Sequence, residues 1–518
     1  MAYCQEIEAV VQSLRIWMRH RTSWRDALVD PRPWPRALSV AALCLAIGVP
    51  VGAIVGLLGG LYGTAFIIAL VLGYLMLRSL IVGLMALIGV VFLLPFAALP
   101  VHIGVTPTLL NLVLATLFFV WASRVAAHKD RAFQALAPTF GVLIFVLLAL
   151  FSFISGLGHA SLTANVIRHF VEILLSILTF VLVINAVRGV PQLRFLTGAI
   201  ILAGSAAALV GILLYALPEE MTVRALSSLR VVGYPSGSDI LRYIEDDPSR
   251  ALRATSTSID PNVLGGALIF ATTIATTQIF SPAPVWPKRW LALMAASMAL
   301  CLFLTFSRGS LMGLTAAVLL LALLRYRRAL IIALAALALL LILPPAQVYV
   351  EHFMSGIRGE DLATQMRFGE YKDALILIRR YPWFGVGFSG TPDVDTYLGV
   401  SNVYLLIAEN MGLVGLGAFL ANLFIYLHKV ITTLLSRQTR ARVSVTSLGF
   451  FLAIVGAMVG GMFDHYLFNL VFPHASTILW LTMGLGVISL HLDMTTPGSV
   501  DQTSGVPLKQ QIDMASGQ

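Results

Sequence analysis

Residues 290–324 read WLALMAASMALCLFLTFSRGSLMGLTAAVLLLALL, and this stretch decides the class of fold. Its only charged side chain is Arg308. As one helix it would extend about 50 Å at 1.5 Å per residue, whereas the hydrocarbon core of a bilayer is only about 30 Å thick. The stretch therefore predicts two membrane spans joined by a tight hairpin at residues 306–310, with Arg308 at a membrane surface.

The rest of the chain has the composition of a polytopic membrane protein. Of its 518 residues, 58% are hydrophobic and 11% are charged, and the mean hydropathy is +0.89. This composition excludes a water-soluble domain. A lipid-exposed backbone must satisfy its own hydrogen bonds, and the apolar segments lack the short alternation of a barrel, so we expect an all-α bundle. About fourteen spans are predicted, at residues 38–58, 62–77, 79–98, 106–122, 138–154, 166–187, 195–217, 259–280, 290–306, 310–324, 329–345, 401–427, 447–467 and 471–491.

The charge, the cysteines and the two ends of the chain carry further information. The net charge of +9 lies mainly in short loops and in the N-terminal segment, as orientation signals do, so no nucleic-acid partner is expected. The three cysteines form no CxxC pair, so neither a disulfide nor a metal site is implied. Residues 1–37 are too polar for a signal peptide and are predicted to be a cytoplasmic interfacial segment. Residues 494–518 are predicted to be a disordered cytoplasmic tail.

The positions of the basic residues predict how the spans are oriented. With the Arg-rich N-terminus inside, every short basic loop falls on the cytoplasmic side. Two long loops, 218–258 and 346–400, then lie on the extracytoplasmic side and hold more than half of the 25 acidic residues. Residues 38–493 form one predicted transmembrane domain with no clear internal repeat, so the sequence lacks the signature of many transporters.

Two arginines stand close to the predicted outer membrane surface. Arg253 lies near the end of the first long loop, and Asp260-Pro261-Asn262 can cap the helix that follows. Arg308 is costly unless it finds water or an anion, since placing Arg at the membrane centre costs about 2.5–3.5 kcal/mol on insertion scales. The alternatives to anion binding are an ordinary solvated Arg253 and simple interfacial snorkelling of Arg308.

The second long loop contains a charged helical segment and an aromatic turn. Arg367 and Tyr371 fall on one helical face, and Glu370 can pair with Arg367 or with Lys372. Ion pairing alone is the alternative to a functional role. Residues 381–387, YPWFGVG, form a predicted turn whose aromatic pair suits either a sugar face or the lipid interface.

Two further polar groups lie at the outer ends of spans. Ser401-Asn402 opens one span, and Glu409 lies about two turns deeper, where a carboxylate needs a partner and an arginine is the natural candidate. Asp464 and His465 stand together at the end of another span. Adjacent residues on a helix point about 100° apart, so these two need not form a dyad, and a structural Asp-His cap is the alternative.

Together these pieces resemble the O-antigen ligase and polymerase family, which are membrane glycosyltransferases of the GT-C type. The resemblance covers roughly residues 140–490 and rests on the order, spacing and common outer placement of residues 253–262, 305–309, 367–374, 381–387 and 401–412. It implies a transfer, without metal or cofactor, of a glycan from an undecaprenyl-pyrophosphate carrier to an acceptor hydroxyl. The implied setting is the extracytoplasmic face of a bacterial inner membrane. The implied partners are a lipid-linked donor, a glycan or lipid acceptor and the bilayer.

The resemblance also implies roles for particular residues. Arg253 and Arg367 would bind the pyrophosphate with support from Arg308, because guanidinium groups can stabilise the charge of the leaving group. The remaining candidates for substrate binding are Tyr371, Lys372, Ser401 and Asn402.

The chain departs from the family pattern at one position. Family members usually have His-Asn where this chain has Ser401-Asn402, and that histidine is the proposed general base. Serine at its ordinary pKa cannot replace it. By chemistry the best substitutes are His465 with the help of Asp464, followed by Glu409 or His352. The other possibilities are an enzyme without a strong base and an inactive member.

Two other function classes fit a polytopic membrane protein. One is a transporter of polysaccharide or lipid intermediates, and the other is a cell-wall polymerase of the shape-and-division type. A transporter should place ionisable residues near the membrane midplane in broken helices, whereas the residues above gather at one face. The sequence does not separate ligase from polymerase, nor does it identify the sugar, the acceptor or the oligomeric state.

Overall fold

The computed structural model describes residues 59–99, 106–127, 133–159, 162–237, 240–327, 362–390 and 399–495, with scattered positions between 44–58 and 330–359. The segment 1–37, the tail from residue 496 and His352 lie outside the described residues, as do most of the predicted spans 38–58 and 329–345. The chain divides into two compact units, residues 1–75 and residues 76–518. The first unit holds most of the first described helix, and the second unit holds all the others.

The fold class is all-α, as predicted. Within the described residues the helices are α1 (Gly60–Arg78), α2 (Leu80–Leu93), α3 (Leu109–Ala126), α4 (Thr139–Gly156), α5 (Ala164–Ala186), α6 (Val190–Ala216), α7 (Glu219–Ser228), α8 (Pro261–Ile279), α9 (Lys288–Leu304), α10 (Arg308–Leu324), α11 (Leu362–Arg380), α12 (Val403–Leu435), α13 (Val445–Gly460) and α14 (Pro473–Thr495).

Seven of these helices are long and apolar enough to cross a membrane, namely α3, α4, α5, α6, α8, α12 and α14. The number of about fourteen spans and the outward placement of the two long loops stay predictions. The hairpin predicted within residues 290–324 is confirmed, because α9 ends at Leu304 and α10 begins at Arg308. Phe306 makes this reversal with a φ of +52°, in the left-handed region.

The most enclosed helices are α8 and α14, whose apolar stretches are 83% and 89% buried inside the protein. Helix α14 packs against α5, and α8 packs against α13 and α9. Burial away from lipid explains their small hydroxyl residues, which a helix can carry when neighbouring helices supply partners. Thr477 on α14, for example, donates to Ser176 on α5 at 2.8 Å. The candidate catalytic residues are therefore held by well-packed helices.

Helix α12 is broken at Gly412, where φ is +68° and ψ is −176°. Such a break releases backbone groups that must find partners at membrane depth. The YPWFGVG segment, residues 381–387, supplies them. In the four backbone bonds across the break, Val386 and Gly387 donate to Glu409 and Asn410 at 2.9 and 3.0 Å, and Leu413 and Val414 donate to Pro382 and Trp383 at 2.7 and 3.3 Å.

The aromatic pair of this segment does not act as a unit. Phe384 packs edge-on against Phe151 of α4, with ring centroids 4.7 Å apart. Trp383 is 67% exposed. The segment thus holds α4, α11 and α12 together through its backbone, and contact with a sugar or with lipid stays a prediction for Trp383.

Substitution of Gly412 by alanine should destabilise the protein. An added Cβ would collide with the carbonyl group of Trp383, and left-handed backbone costs a non-glycine residue roughly 1–3 kcal/mol. We expect a thermal unfolding midpoint several degrees lower in detergent, measured on the purified protein. Gly417 is the matched control on the same helix, since no atom lies within 4 Å of its added Cβ. Equal midpoints for the two variants would contradict this role for the break.

Candidate functional site

Arg253 is fixed between the end of α9 and the start of α8. Its guanidinium group donates from Nε to the carbonyl oxygen of Thr305 at 2.8 Å and from an Nη atom to Oδ1 of Asn262 at 2.7 Å. Asp260 caps α8, as predicted, by accepting from the backbone of Asn262 and Val263 at 2.8 and 3.0 Å. The orientation of the guanidinium group is therefore set by two helix ends.

Arg308 lies at the first position of α10 and reaches towards α11. One Nη atom lies 3.4 Å from the Thr364 hydroxyl, near the beginning of α11. The side chain is partly buried rather than extended into lipid or solvent. Arg308 therefore connects the α9–α10 hairpin to the helix that contains Arg367.

Helix α11 is held against the start of α12 by two contacts with Ser401. Glu370 accepts a hydrogen bond from the backbone N–H of Ser401 at 2.8 Å. The Tyr371 hydroxyl lies 3.5 Å from the carbonyl oxygen of Ser401. Glu370 thus has a backbone partner that the sequence did not indicate. Lys372, the remaining candidate on this helix, has an exposed side chain.

Asn402 ties the start of α12 to the end of α13. Its side chain caps α12 by accepting from Tyr404 and Leu405 at 2.9 and 3.1 Å, and it donates to the carbonyl of Met462 at 2.9 Å. The two helix ends approach each other closely at Gly461, because a Cβ there would lie 2.8 Å from Cγ1 of Val403. The caps of α12 and α13 therefore meet directly.

Asp464 and His465 lie in the turn after α13, which ends at Gly460 and not at residue 467 as predicted. Because they are not on a helix, the helical angle that argued against a dyad does not apply. His465 Nδ1 lies 3.3 Å from Asp464 Oδ1, and the same oxygen accepts from the His465 backbone at 2.7 Å. The His465 side chain is 27% exposed and that of Asp464 is 11% exposed. The imidazole is thus backed by a carboxylate and remains accessible.

The charges of these segments act on one another. Burial alone would raise the pKa of the Asp464 carboxyl, but contact with His465 and the charge of Arg367 lower it overall. Burial alone would lower the pKa of the His465 imidazole, but Asp464, Glu370 and Asp260 raise it overall. Burial raises the pKa of Asp260, and the nearby charge of Asp464 adds to this while Arg253 opposes it. These mutual effects place both arginines and the Asp-His pair in one electrostatic cluster.

Three helices begin at this cluster. Asp260, Ser307 and Asn402 are the N-caps of α8, α10 and α12, and each side chain accepts from the first turn of its helix. Helix N-termini carry partial positive charge, which adds to that of the arginines. The arrangement favours an anionic group such as a phosphate.

Glu409 lies deeper on α12 and is 1% exposed. The predicted arginine partner is replaced by a backbone group, because the N–H of Gly399 donates to Oε1 at 3.2 Å. Among the described residues, Oε2 has no hydrogen-bond partner. Through its hydrogen bond with Gly399, Glu409 therefore holds the segment that precedes Ser401.

Sequence reasoning missed two members of the cluster. Asp260 was identified only as a helix cap, and Glu370 only as an ion-pair partner on its own helix. Helical spacing does not reveal that Glu370 faces α12, because the contact depends on how α11 lies across another helix. Within the described chain, no group of three His, Cys, Asp or Glu side chains could hold a metal ion.

Comparison with protein families supports the resemblance found in the sequence. Residues 293–420 match the model of the family described as O-antigen ligase. The matched region includes Arg308, Arg367, Ser401-Asn402 and Glu409, whereas Arg253 and the Asp464-His465 pair lie outside it. A search of curated proteins found no match. The family match supports a role in glycan transfer during polysaccharide assembly.

Proposed function

We propose that the chain is a membrane glycosyltransferase that moves a glycan from an undecaprenyl-pyrophosphate carrier to an acceptor hydroxyl, as a ligase or a polymerase. The reaction takes place at the extracytoplasmic face of the inner membrane. The observation that carries this proposal is the cluster in which the charges of Arg253, Arg367 and the Asp464-His465 pair act on one another, although these residues come from three distant parts of the sequence.

Arg253 and Arg367 act on the leaving group. As the bond from the anomeric carbon to the carrier phosphate breaks, negative charge develops on the phosphate oxygen, and guanidinium groups stabilise it by paired hydrogen bonds. Thr305 and Asn262 hold the Arg253 guanidinium in a fixed orientation, so little reorganisation is needed during the reaction.

His465 acts on the acceptor. The acceptor oxygen attacks the anomeric carbon and forms the new glycosidic bond, while its proton passes to His465 Nε2. Contact with Asp464 through Nδ1 orients the imidazole and stabilises the imidazolium that forms. This arrangement takes the place of the family histidine, which is Ser401 here.

A second candidate function is transport of a lipid-linked intermediate. The break in α12 at Gly412, close to the buried carboxylate of Glu409, is the observation that favours it, because transporters often bind substrate at discontinuous helices. Most of the clustered charges lie at helix ends instead, which favours the transferase.

A transfer assay on the two membrane orientations separates these functions. Intact spheroplasts and inverted vesicles receive a water-soluble acceptor, the delipidated and dephosphorylated oligosaccharide from the envelope of the same cells. We expect mass spectrometry to find extended acceptor in spheroplasts and not in inverted vesicles or in cells that lack the protein. Product only in inverted vesicles would reverse the proposed face. Movement of labelled lipid-linked glycan without any product would favour the transporter.

A further inference from the structure

A cavity of about 820 Å³, open to the surface, lies on the segment between α6 and α8. Helix α7 forms one wall through Glu219, Glu220 and Arg224, and residues 241–248 form the other through Arg242, Tyr243 and Asp246. Its volume is within the range of about 300–1,000 Å³ that is typical of ligand sites. None of these residues has a role in the reaction described above.

The lining of the cavity fits a carbohydrate. Three carboxylates accept hydrogen bonds from hydroxyl groups, two guanidinium groups donate to ring and hydroxyl oxygens, and a tyrosine ring offers an apolar face to the C–H side of a sugar. Burial and the Glu219 carboxylate on the opposite wall both raise the pKa of the Tyr243 hydroxyl, so the two walls lie close together here. A phosphate or another anion is disfavoured, because the carboxylates of Glu220 and Asp246 are exposed in the lining, whereas each carboxylate of the helix-end cluster already accepts from a backbone N–H.

The cavity wall is continuous with Arg253. The backbone N–H of Arg253 donates to the carbonyl of Arg242 at 2.8 Å, and that of Ile244 donates to Ala251 at 3.1 Å. Tyr243 and Leu252 form an antiparallel bridge between these bonds. Arg242, in the cavity lining, is therefore the cross-strand neighbour of the arginine that we assign to the leaving group. The cavity therefore borders the segment that carries Arg253.

We propose that this cavity is the acceptor site, and that it binds the end of a hydroxyl-rich glycan without net negative charge. The assignment rests on the proposed transferase function. Under this assignment the helix-end cluster binds the anionic carrier, and the acidic cavity excludes it. Charge selection of this kind would keep the donor headgroup from occupying the acceptor position.

Photo-crosslinking in living cells tests occupancy independently of catalysis. A benzoylphenylalanine residue is placed at Val223, which lines the cavity, or at Met221, which is 52% exposed on the same helix and outside the lining. We expect light to produce an adduct that stains for carbohydrate at position 223 but not at 221. An adduct that contains the pyrophosphate carrier at position 223 would overturn the acceptor assignment.

Kinetics provide a second readout. The Glu220→Ala/Asp246→Ala double variant should raise KM for the dephosphorylated acceptor at least tenfold, with kcat and the KM for donor unchanged. Asp247→Ala is the control, because Asp247 is exposed beside Asp246 and does not line the cavity. Unchanged acceptor KM together with no adduct at position 223 would remove the acceptor site and leave the transferase intact. A carbohydrate adduct in a protein that transfers nothing would instead contradict the transferase and retain only glycan binding.

Discussion

Replacement of Arg367 by alanine should lower glycan transfer by at least about 10²–10³-fold, the usual cost of removing one group that stabilises developing negative charge. The protein should still insert, since Arg367 lies on α11 outside the seven long apolar helices. Arg367→Lys should recover only part of the rate, because an ammonium group lacks the paired donors of the guanidinium fork. The measurement is the initial rate of acceptor extension at saturating donor.

Arg379→Ala is the matched control for Arg367, since Arg379 is an exposed arginine near the end of the same helix. It should retain the wild-type rate. Arg253→Ala should be as inactive as Arg367→Ala. Because Arg253 also ties α8 to α9, the amount of the Arg253→Ala variant in the membrane must be compared with that of the wild-type protein by immunoblot. Wild-type rates in both alanine variants would remove the two arginines from the site.

Replacement of His465 by alanine should reduce turnover by about 10²–10⁴-fold, the usual range for loss of a general acid–base group. Introduction of Ser401→His into the same variant restores the family pattern at the start of α12 and should recover part of the activity. His428→Ala on the exposed surface of α12 is the control and should be silent. Full turnover without His465 would exclude it as the base and direct attention to Glu409.

The pH dependence of turnover gives an independent test of His465. A base must be neutral to accept a proton, so the rate should fall as pH drops through the pKa of the imidazole. The part of the pH profile in which the rate falls towards acid pH is the acid limb. Because the surrounding carboxylates raise the pKa of the imidazole, the midpoint of the acid limb should lie at a pH above the ordinary histidine range. In the Ser401→His rescue variant the limb should move, since the new base would have different neighbours. A limb that does not move would show that another group titrates.

Much of the fold follows from local sequence, because membrane helices are decided by local properties. Length, hydropathy and the need to satisfy backbone hydrogen bonds are read within one segment, so most helix bounds were close to those predicted. The hairpin at Arg308 and the cap at Asp260 were predictable for the same reason. The end of α13 was predicted seven residues too late, because residues 460–463 and 466–467 are apolar enough to continue a span despite Asp464 and His465 between them.

Only the tertiary structure decided which polar groups meet. The sequence by itself determined that the chain is an all-α membrane protein and that its notable charges fall at segment ends. Contacts between different segments of the chain decide whether Glu370 contacts Ser401, whether Asp464 supports His465 and whether residues 381–387 fill a helix break. Hydropathy does not predict such contacts, because they arise when helices pack and their end groups must each find a partner.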